Sequence, residues 1–325
     1  MSVRRLPTTL LLSAAVLLAI GIYAAFAHDL SRARSRLAGR TQTIPTASGT
    51  LEYAVTGSGD PVLVIHGAEG GFDQALDMTG PLVQRGFQLI APSRFGYLGS
   101  TSSGAQVTPA IQADAYAELL DRLSMSEVSV AAVSAGAWSA LQFAIRHPKR
   151  CRALVLIVPA NYLPPNVRIQ GGRVIQAMVE SDFAAWAAVK ILSMLPPGVM
   201  AERMLGTPAS VVRAADSGEK ARIANTLDHF LPVSERRKGM QIDVWTAADR
   251  RPYPLEKISC PVLTISAEDD QFGTALRARQ IATAVLNGRA VIYPSGGHAL
   301  VGHYRNALDD SAAFLSAVRR QEARP

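Results

Sequence analysis

The sequence predicts an α/β protein: a mostly parallel sheet covered by helices on both faces and interrupted late by a helical insertion. Three observations carry this. Short β-branched runs alternate with helix-like stretches from residue 51 onward, the pattern of strand–helix–strand units. Several runs, PVLVI at 61–65 and RALVLIV at 152–158 among them, are almost wholly apolar, as strands buried on both faces are. Between about 160 and 255 the alternation stops, and apolar helical pieces separated by Pro164-Pro165 and Pro196-Pro197-Gly198 take its place.

The elements follow in order. Arg4 and Arg5 precede an uncharged run, 6–27, rich in Leu, Ala, Val and Ile. About 20 apolar residues suffice for a membrane-spanning helix. A cleaved signal peptide also fits, because Ala25-Phe26-Ala27 offers a small-residue cleavage site. Residues 1–27 are therefore a membrane anchor, or a leader removed after Ala27 from an exported, periplasmic protein. Residues 28–42 read as a polar, Arg-rich spacer. Arginines flank the apolar run on both sides, so the positive-inside comparison leaves its orientation open.

Strands are expected at 51–56, ended by the turn Gly57-Ser58-Gly59-Asp60, and at 61–65. A helix over 72–85, interrupted near Gly80-Pro81, leads to a strand at 87–91. An amphipathic helix spans 110–123, with Ile111, Ala115, Leu119 and Leu120 at helical spacing. A strand at 127–133, a helix at 135–146 and a strand at 152–158 come next. After the insertion the alternation resumes with a strand at 262–265, a helix at 274–285, a strand at 290–293 and a helix near 301–318. The core is thus 43–159 and 256–325, and the insertion 160–255.

Charge excludes one class of function. The 325-residue chain carries a net +7. Residues 1–40 hold six arginines against Asp29 alone, a net +5. The remaining +2 is spread over the other 285 residues. Such a body lacks the clustered basic face that nucleic-acid binding requires. No Cys/His/Asp group has metal-ligand spacing, so neither metal nor cofactor is expected. Cys151 and Cys260 each precede an apolar run and should meet at one edge of the sheet, as a disulfide or as two inert thiols.

The chemistry concentrates in three places. In VAAVSAG, at 130–136, a strand runs into Ser134 and a helix starts at once, with small Ala132 and Gly136 flanking the serine. This is the layout of a nucleophile elbow, a strained turn that projects a hydroxyl above the sheet edge. Ser-Ala-Gly at a helix start is also ordinary N-capping. His66-Gly67-Ala68 follows a buried strand. There the N–H of Ala68, with that of Ala135 at a helix N-terminus, can form an oxyanion hole. His66 is expected to brace the loop. Finally, Glu268-Asp269-Asp270 and Gly296-Gly297-His298 close the last two strands. A carboxylate and a histidine there would converge on Ser134, the histidine as proton carrier and the carboxylate as its orienting partner. Of the other histidines, His147 should cap a helix, His229 should lie on the surface of the insertion, and His303 should stand one turn beyond His298.

With VLVIHG, VSAGAWSALQFAIRHP, PVLTISAEDDQF and YPSGGHA, the chain resembles the α/β-hydrolase superfamily over about 51–318. The resemblance implies an eight-stranded-type sheet with a lid inserted in it. It also implies a Ser134–Asp270–His298 triad acting through an acyl-enzyme. The family's G-x-x-D pattern, with Ala267 in the glycine position, points to Asp270, and Asp269 is the rival. Ala132 stands for the first glycine of G-x-S-x-G. The aspartate usual after the fourth-strand Ala-Pro is replaced by Ser93-Arg94. The substrate implied is a small molecule with an ester-like bond, and carbon–carbon hydrolase, thioesterase, amidase or peptidase activity would use the same residues. The serine disfavours carboxylate-nucleophile chemistry. A non-catalytic, membrane-tethered binding protein is the reading from another class. The lid's apolar side chains, Met178, Phe183, Trp186, Met194, Met200 and Met204 among them, should form its own core and favour an apolar substrate.

Overall fold

The computed structural model describes residues 8–104, 106–161, 180–195, 198–249 and 251–322. Pro164-Pro165, Met178 and Pro196-Pro197 lie outside them. The strands β1 (Gln42–Thr46), β2 (Gly49–Thr56), β3 (Asp60–Ile65), β4 (Phe87–Pro92), β5 (Thr101–Ser102), β6 (Val128–Val133), β7 (Cys151–Ile157), β8 (Val262–Ala267) and β9 (Gly288–Tyr293) form one sheet. The order is β1-β2-β4-β3-β6-β7-β8-β9, with β5 paired to β2. β1, β2 and β5 pair antiparallel, and β4-β3-β6-β7-β8-β9 run parallel. The short parallel strands sit where the apolar runs predicted them.

Period-two alternation sends neighbouring side chains to opposite faces. Leu63, Ile65, Val130, Ala132, Leu154 and Leu156 face one layer, covered by α3 (Pro109–Arg122) and α4 (Gly136–Arg146). Val62, Val64, Ala131, Val133, Val155 and Ile157 face the other, covered by α2 (Phe72–Thr79) and the C-terminal helix. Both layers exclude water, which is why these strands carry no polar alternation.

Between β7 and β8 the insertion contributes α5 (Asp182–Ser193), α6 (Val199–Leu205), α7 (Ala209–Ala214), α8 (Ser217–Asp228) and α9 (Arg237–Ala248). Helices α10 (Thr274–Ala284) and α11 (Tyr304–Glu322) complete the chain. The insertion's small core joins Ala201, Val212, Ile223 and Leu227 to Val301 of the main body. Met200 and Met204 pack against it. Phe183, Ile191, Met194 and Leu195 do not, and stay exposed. The expectation that most of the insertion's apolar side chains form its core or its contact with the main body does not extend to these four.

Other differences have local causes. The N-terminal helix α1 (Thr8–Leu37) continues through most of the spacer, because nothing between Ala27 and Leu37 breaks a helix and Gly39, at φ +71°, is the first residue to do so. β1 starts at Gln42 and contains Pro45, which an edge strand tolerates. Cys151 and Cys260 meet as buried free thiols with Sγ atoms 3.6 Å apart. His229 is not on the surface: it is 5 % exposed, its Nδ1 against Asn225 O at 2.8 Å and its Nε2 4.0 Å from Asp73.

Candidate active site

Ser134 follows β6 directly with φ +50°, a left-handed conformation that costs a non-glycine residue about 1–3 kcal/mol. Its surroundings hold it there. Its N–H donates to Ile157 O at 2.9 Å, and its carbonyl accepts from Ala137 and Ala160 at 3.0 Å. The turn needs small flanks. A Cβ on Gly136 would stand 2.6 Å from His66 O and 2.7 Å from Ile65 O, and Ala132 is fully buried. The helix α4 begins immediately behind the serine, so its free N-terminal amides face the same space.

His298 lies on the loop after β9. Its Nε2 is 3.0 Å from Ser134 Oγ and its Nδ1 2.8 Å from Asp270 Oδ2. Phe272 packs edge-on against the imidazole at 4.8 Å. The loop turns sharply through Gly296 (φ +128°) and Gly297 (φ +59°). A Cβ on Gly297 would come within 2.5 Å of Thr207 Cα, so only glycine lets the insertion approach this closely.

Asp270, at the end of β8, is 5 % exposed. Its Oδ1 accepts from Phe272 N–H at 2.8 Å, and its Oδ2 accepts from both the Thr274 hydroxyl and His298. Burial pushes its pKa up. The His298 charge and hydrogen bond, then Thr274 and Phe272, outweigh that and hold it below the ordinary carboxylate range. Asp269 points elsewhere and accepts from Gly297 N–H at 2.8 Å. The structure therefore brings Asp270 to His298, while Asp269 fastens the histidine's loop.

The loop after β3 closes over the serine, the Cβ position of Gly67 being 3.2 Å from Ser134 Cβ. Gly67 N–H donates to Gln74 Oε1 at 3.0 Å and Glu69 N–H to Tyr97 OH at 3.2 Å. The N–H groups of Ala68 and Ala135 have no protein acceptor among the described residues. One of these two backbone donors stands directly after Ser134, and the other lies on the loop whose Gly67 approaches it. His66 is fully buried: its Nδ1 is 2.7 Å from Gly67 O, and its Nε2 accepts from Arg94 N–H at 2.9 Å. Those partners assign the proton to Nδ1. Burial, then the Arg94 charge, push its pKa well down, so this histidine braces the loop in neutral form.

Other residues here were not legible from sequence. Arg94, 1 % exposed, donates to Gly67 O at 2.8 Å and forms a two-pronged pair with Asp243 of α9. Tyr97 OH also donates to Asp243. Glu69, at φ +60°, carries a carboxyl pushed up to about 7 by burial and then by Asp243. The remaining histidines stand apart from the serine. His147 ends α4 and meets Asp114 at 2.8 Å, and His303 stacks on Tyr293 at 4.5 Å. No group of three or more His, Cys, Asp or Glu side chains suited to a metal ion occurs among the described residues.

This arrangement can take a proton from Ser134, store it as an imidazolium neutralised by Asp270, and return it to a leaving group. Residues 60–302 match the family model described as alpha/beta hydrolase fold. The uncharacterized hydrolase YcgS of Bacillus subtilis is 31% identical over 238 residues, 71% of this chain and 82% of that protein. Among solved structures, an alpha/beta hydrolase fold protein from Nakamurella multipartita superposes with TM-score 0.69 at 25% identity, covering 85% of this chain and 98% of that one. A thermophilic esterase from Thermogutta terrifontis does so with TM-score 0.63 at 21% identity, covering 86% and 99%.

Proposed function

The chain belongs to the alpha/beta hydrolase fold family, and on that premise we propose that it is a membrane-anchored serine hydrolase cleaving an ester-like bond in a small, apolar substrate. The observation that carries this is His298, hydrogen-bonded to Ser134 on one side and Asp270 on the other. Ser134 Oγ attacks the substrate carbonyl as His298 Nε2 takes its proton. The oxyanion that forms is held by the N–H groups of Ala68 and Ala135, in a setting where such donors lower the barrier by several kcal/mol. Collapse expels the alcohol, which receives the proton from His298. Water, deprotonated by the same imidazole, then attacks the acyl-enzyme and frees Ser134. Asp270 stays ionised throughout, fixing the Nδ1–H tautomer.

Preference for an apolar substrate is supported by Phe272 against the histidine. The anchor reading draws on α1, whose residues from Leu12 onward are long and apolar enough to cross a bilayer. It also draws on the contacts of the helix's far end, where Phe26 sits among Phe183 and Trp186. Cleavage after Ala27 would discard that contact.

The test is fluorophosphonate labelling of the full chain in detergent, read by intact mass and peptide mapping. One adduct on Ser134, absent from Ser134→Ala, is expected, followed by faster turnover of longer-acyl esters. A folded, monodisperse sample that takes no label would replace the hydrolase reading with that of a binding protein. A preference for short charged esters would overturn the apolar-substrate assignment.

A further inference from the structure

The helix α5 and the turn after it carry apolar side chains that stay exposed among the described residues. Ile191, in its last turn, is 64 % exposed, and Met194 and Leu195, which follow it, are 83 % and 44 % exposed. A monomeric body in water rarely keeps such a group together without a partner. What lies beside it identifies the partner.

Phe183 packs edge-on against Phe26 at 5.3 Å, and Trp186 meets the same ring at 5.8 Å. Trp186 Nε1 donates to Asp29 Oδ2 at 2.9 Å, and Lys190 Nζ lies 2.9 Å from the same oxygen. Phe26 and Asp29 mark a depth. From Thr8 to Ala27 the helix α1 has about 20 uncharged residues, which at 1.5 Å each span about 30 Å, the thickness of a hydrocarbon core. Phe26 is in the last turn of that stretch, and Asp29 is the first charge beyond it. If α1 spans the bilayer, the middle of α5 lies at the level where acyl chains give way to headgroups.

The direction of α5 keeps the rest of it there. Asp182, at its start, reaches Arg34, two turns further along α1, at 3.9 Å. Lys190, two turns later on α5, comes back to Asp29. Between them Phe183 and Trp186 meet Phe26 and Asp29, so α5 from Phe183 to Lys190 stays beside the Phe26–Asp29 stretch of α1. Ile191, Met194 and Leu195 lie within five residues of Lys190, whose ammonium is held at Asp29. Aromatic side chains and a lysine on an apolar-faced helix are the make-up of an interfacial element. Arg32 and Arg34, exposed one to two turns past Ala27, stand where anionic headgroups lie.

We propose that the C-terminal end of α5, with Ile191 and the following Met194 and Leu195, seats in the headgroup–acyl boundary of the bilayer that α1 crosses, making the insertion a membrane-surface element. The proposal rests on the anchor reading of α1, and the experiment separates the two. The full chain, as Met194→Cys and separately as Leu18→Cys, is labelled with a nitrobenzoxadiazole fluorophore, the native cysteines being buried. It is then reconstituted in phosphatidylcholine–phosphatidylglycerol vesicles. Quenching of the position-194 label by spin-labelled lipids, with protection from aqueous iodide, is the expected result. A position-194 label open to iodide while the position-18 label is quenched by lipid overturns this proposal and leaves the anchor standing. Shielding of position 194 from both quenchers assigns the face to a protein partner or second copy, and also overturns it. An iodide-accessible position-18 label removes the anchor reading, and this proposal with it.

Discussion

Replacing Asp270 by asparagine tests the proton path at its most constrained atom. The carboxylate accepts on both oxygens: Oδ1 from Phe272 N–H at 2.8 Å, Oδ2 from His298 at 2.8 Å and from the Thr274 hydroxyl. An amide has one accepting oxygen, so it must choose. With its oxygen toward Phe272, its NH₂ faces His298 Nδ1, which then has to accept. The imidazole proton moves to Nε2, where it blocks uptake of the serine proton. With its oxygen toward His298, the NH₂ opposes the Phe272 N–H, and two buried donors facing each other cost about 1–3 kcal/mol. The first arrangement is therefore favoured, and it is the unproductive tautomer. The expected loss in kcat is about 10³- to 10⁴-fold, or about 4–5.5 kcal/mol in barrier, with KM little changed. The companion Asp269→Asn keeps an acceptor for Gly297 N–H and should lose less than about tenfold. Steady-state hydrolysis of p-nitrophenyl acetate measures both, and the fluorophosphonate labelling rate of Ser134 supplies a substrate-independent check. A larger loss in Asp269→Asn than in Asp270→Asn would refute the reasoning.

Two further predictions concern the loops around the site. Arg94→Met strands Asp243 without its buried cation and should cost about 3–5 kcal/mol, while Arg94→Met with Asp243→Leu should recover much of it. Urea midpoints measure both, and equal midpoints for the single and double variants would count against a buried pair. Glu69 has a folded pKa of about 7 against an ordinary 4.5. The stability that its neutral form confers is thus full below pH 4.5 and lost as pH rises through 7. Glu69→Gln should therefore melt increasingly above the wild type between pH 4.5 and 7, with the gap constant beyond. Parallel melting curves across that window would show that the carboxyl is not held in its neutral form.

What could be read from the sequence was whatever is local. Ser134 between an apolar strand and a helix, with Ala132 and Gly136 at its sides, needs only nine or ten residues to declare itself. Val62 to Ile65, Val130 to Val133 and Leu154 to Ile157 declare buried strands by composition alone. His298 and a carboxylate at 268–270 could be proposed because each follows one of the last two strands, while Asp270 in particular came from the family's G-x-x-D pattern. Pairings between distant segments were not. Arg94 and Asp243 stand 149 residues apart, and nothing in Ala-Pro-Ser-Arg announces that its arginine will turn inward to the loop of Ala68. His229 was expected at the surface, and the distant group it approaches, Asp73 of α2 at 4.0 Å, is 156 residues away in sequence. Glu69 gave no sign of a left-handed backbone or a raised pKa, since both arise from the packing of β3's loop against Tyr97 and Asp243.

The same distant contacts change what the insertion does. Three loops carry the groups around Ser134, and each is fastened to it. The Ala68 loop accepts at Gly70 O from Arg236, which also pairs with Asp73 at 2.8 Å. The Asp270 loop donates from Gln271 N–H to Gly206 O at 3.0 Å. The His298 loop donates from Ala299 N–H to the Thr207 hydroxyl at 3.0 Å. Arg236 and Thr207 are fully buried, where breaking such bonds without replacement costs about 1–3 kcal/mol each. Swinging the whole insertion away would break all three together and leave buried donors and acceptors unpaired. The insertion therefore serves as scaffold for the site as well as cover. The same body that aligns His298 with Ser134 also bears α5, so whatever fixes α5 in space fixes the orientation of the catalytic loops with it.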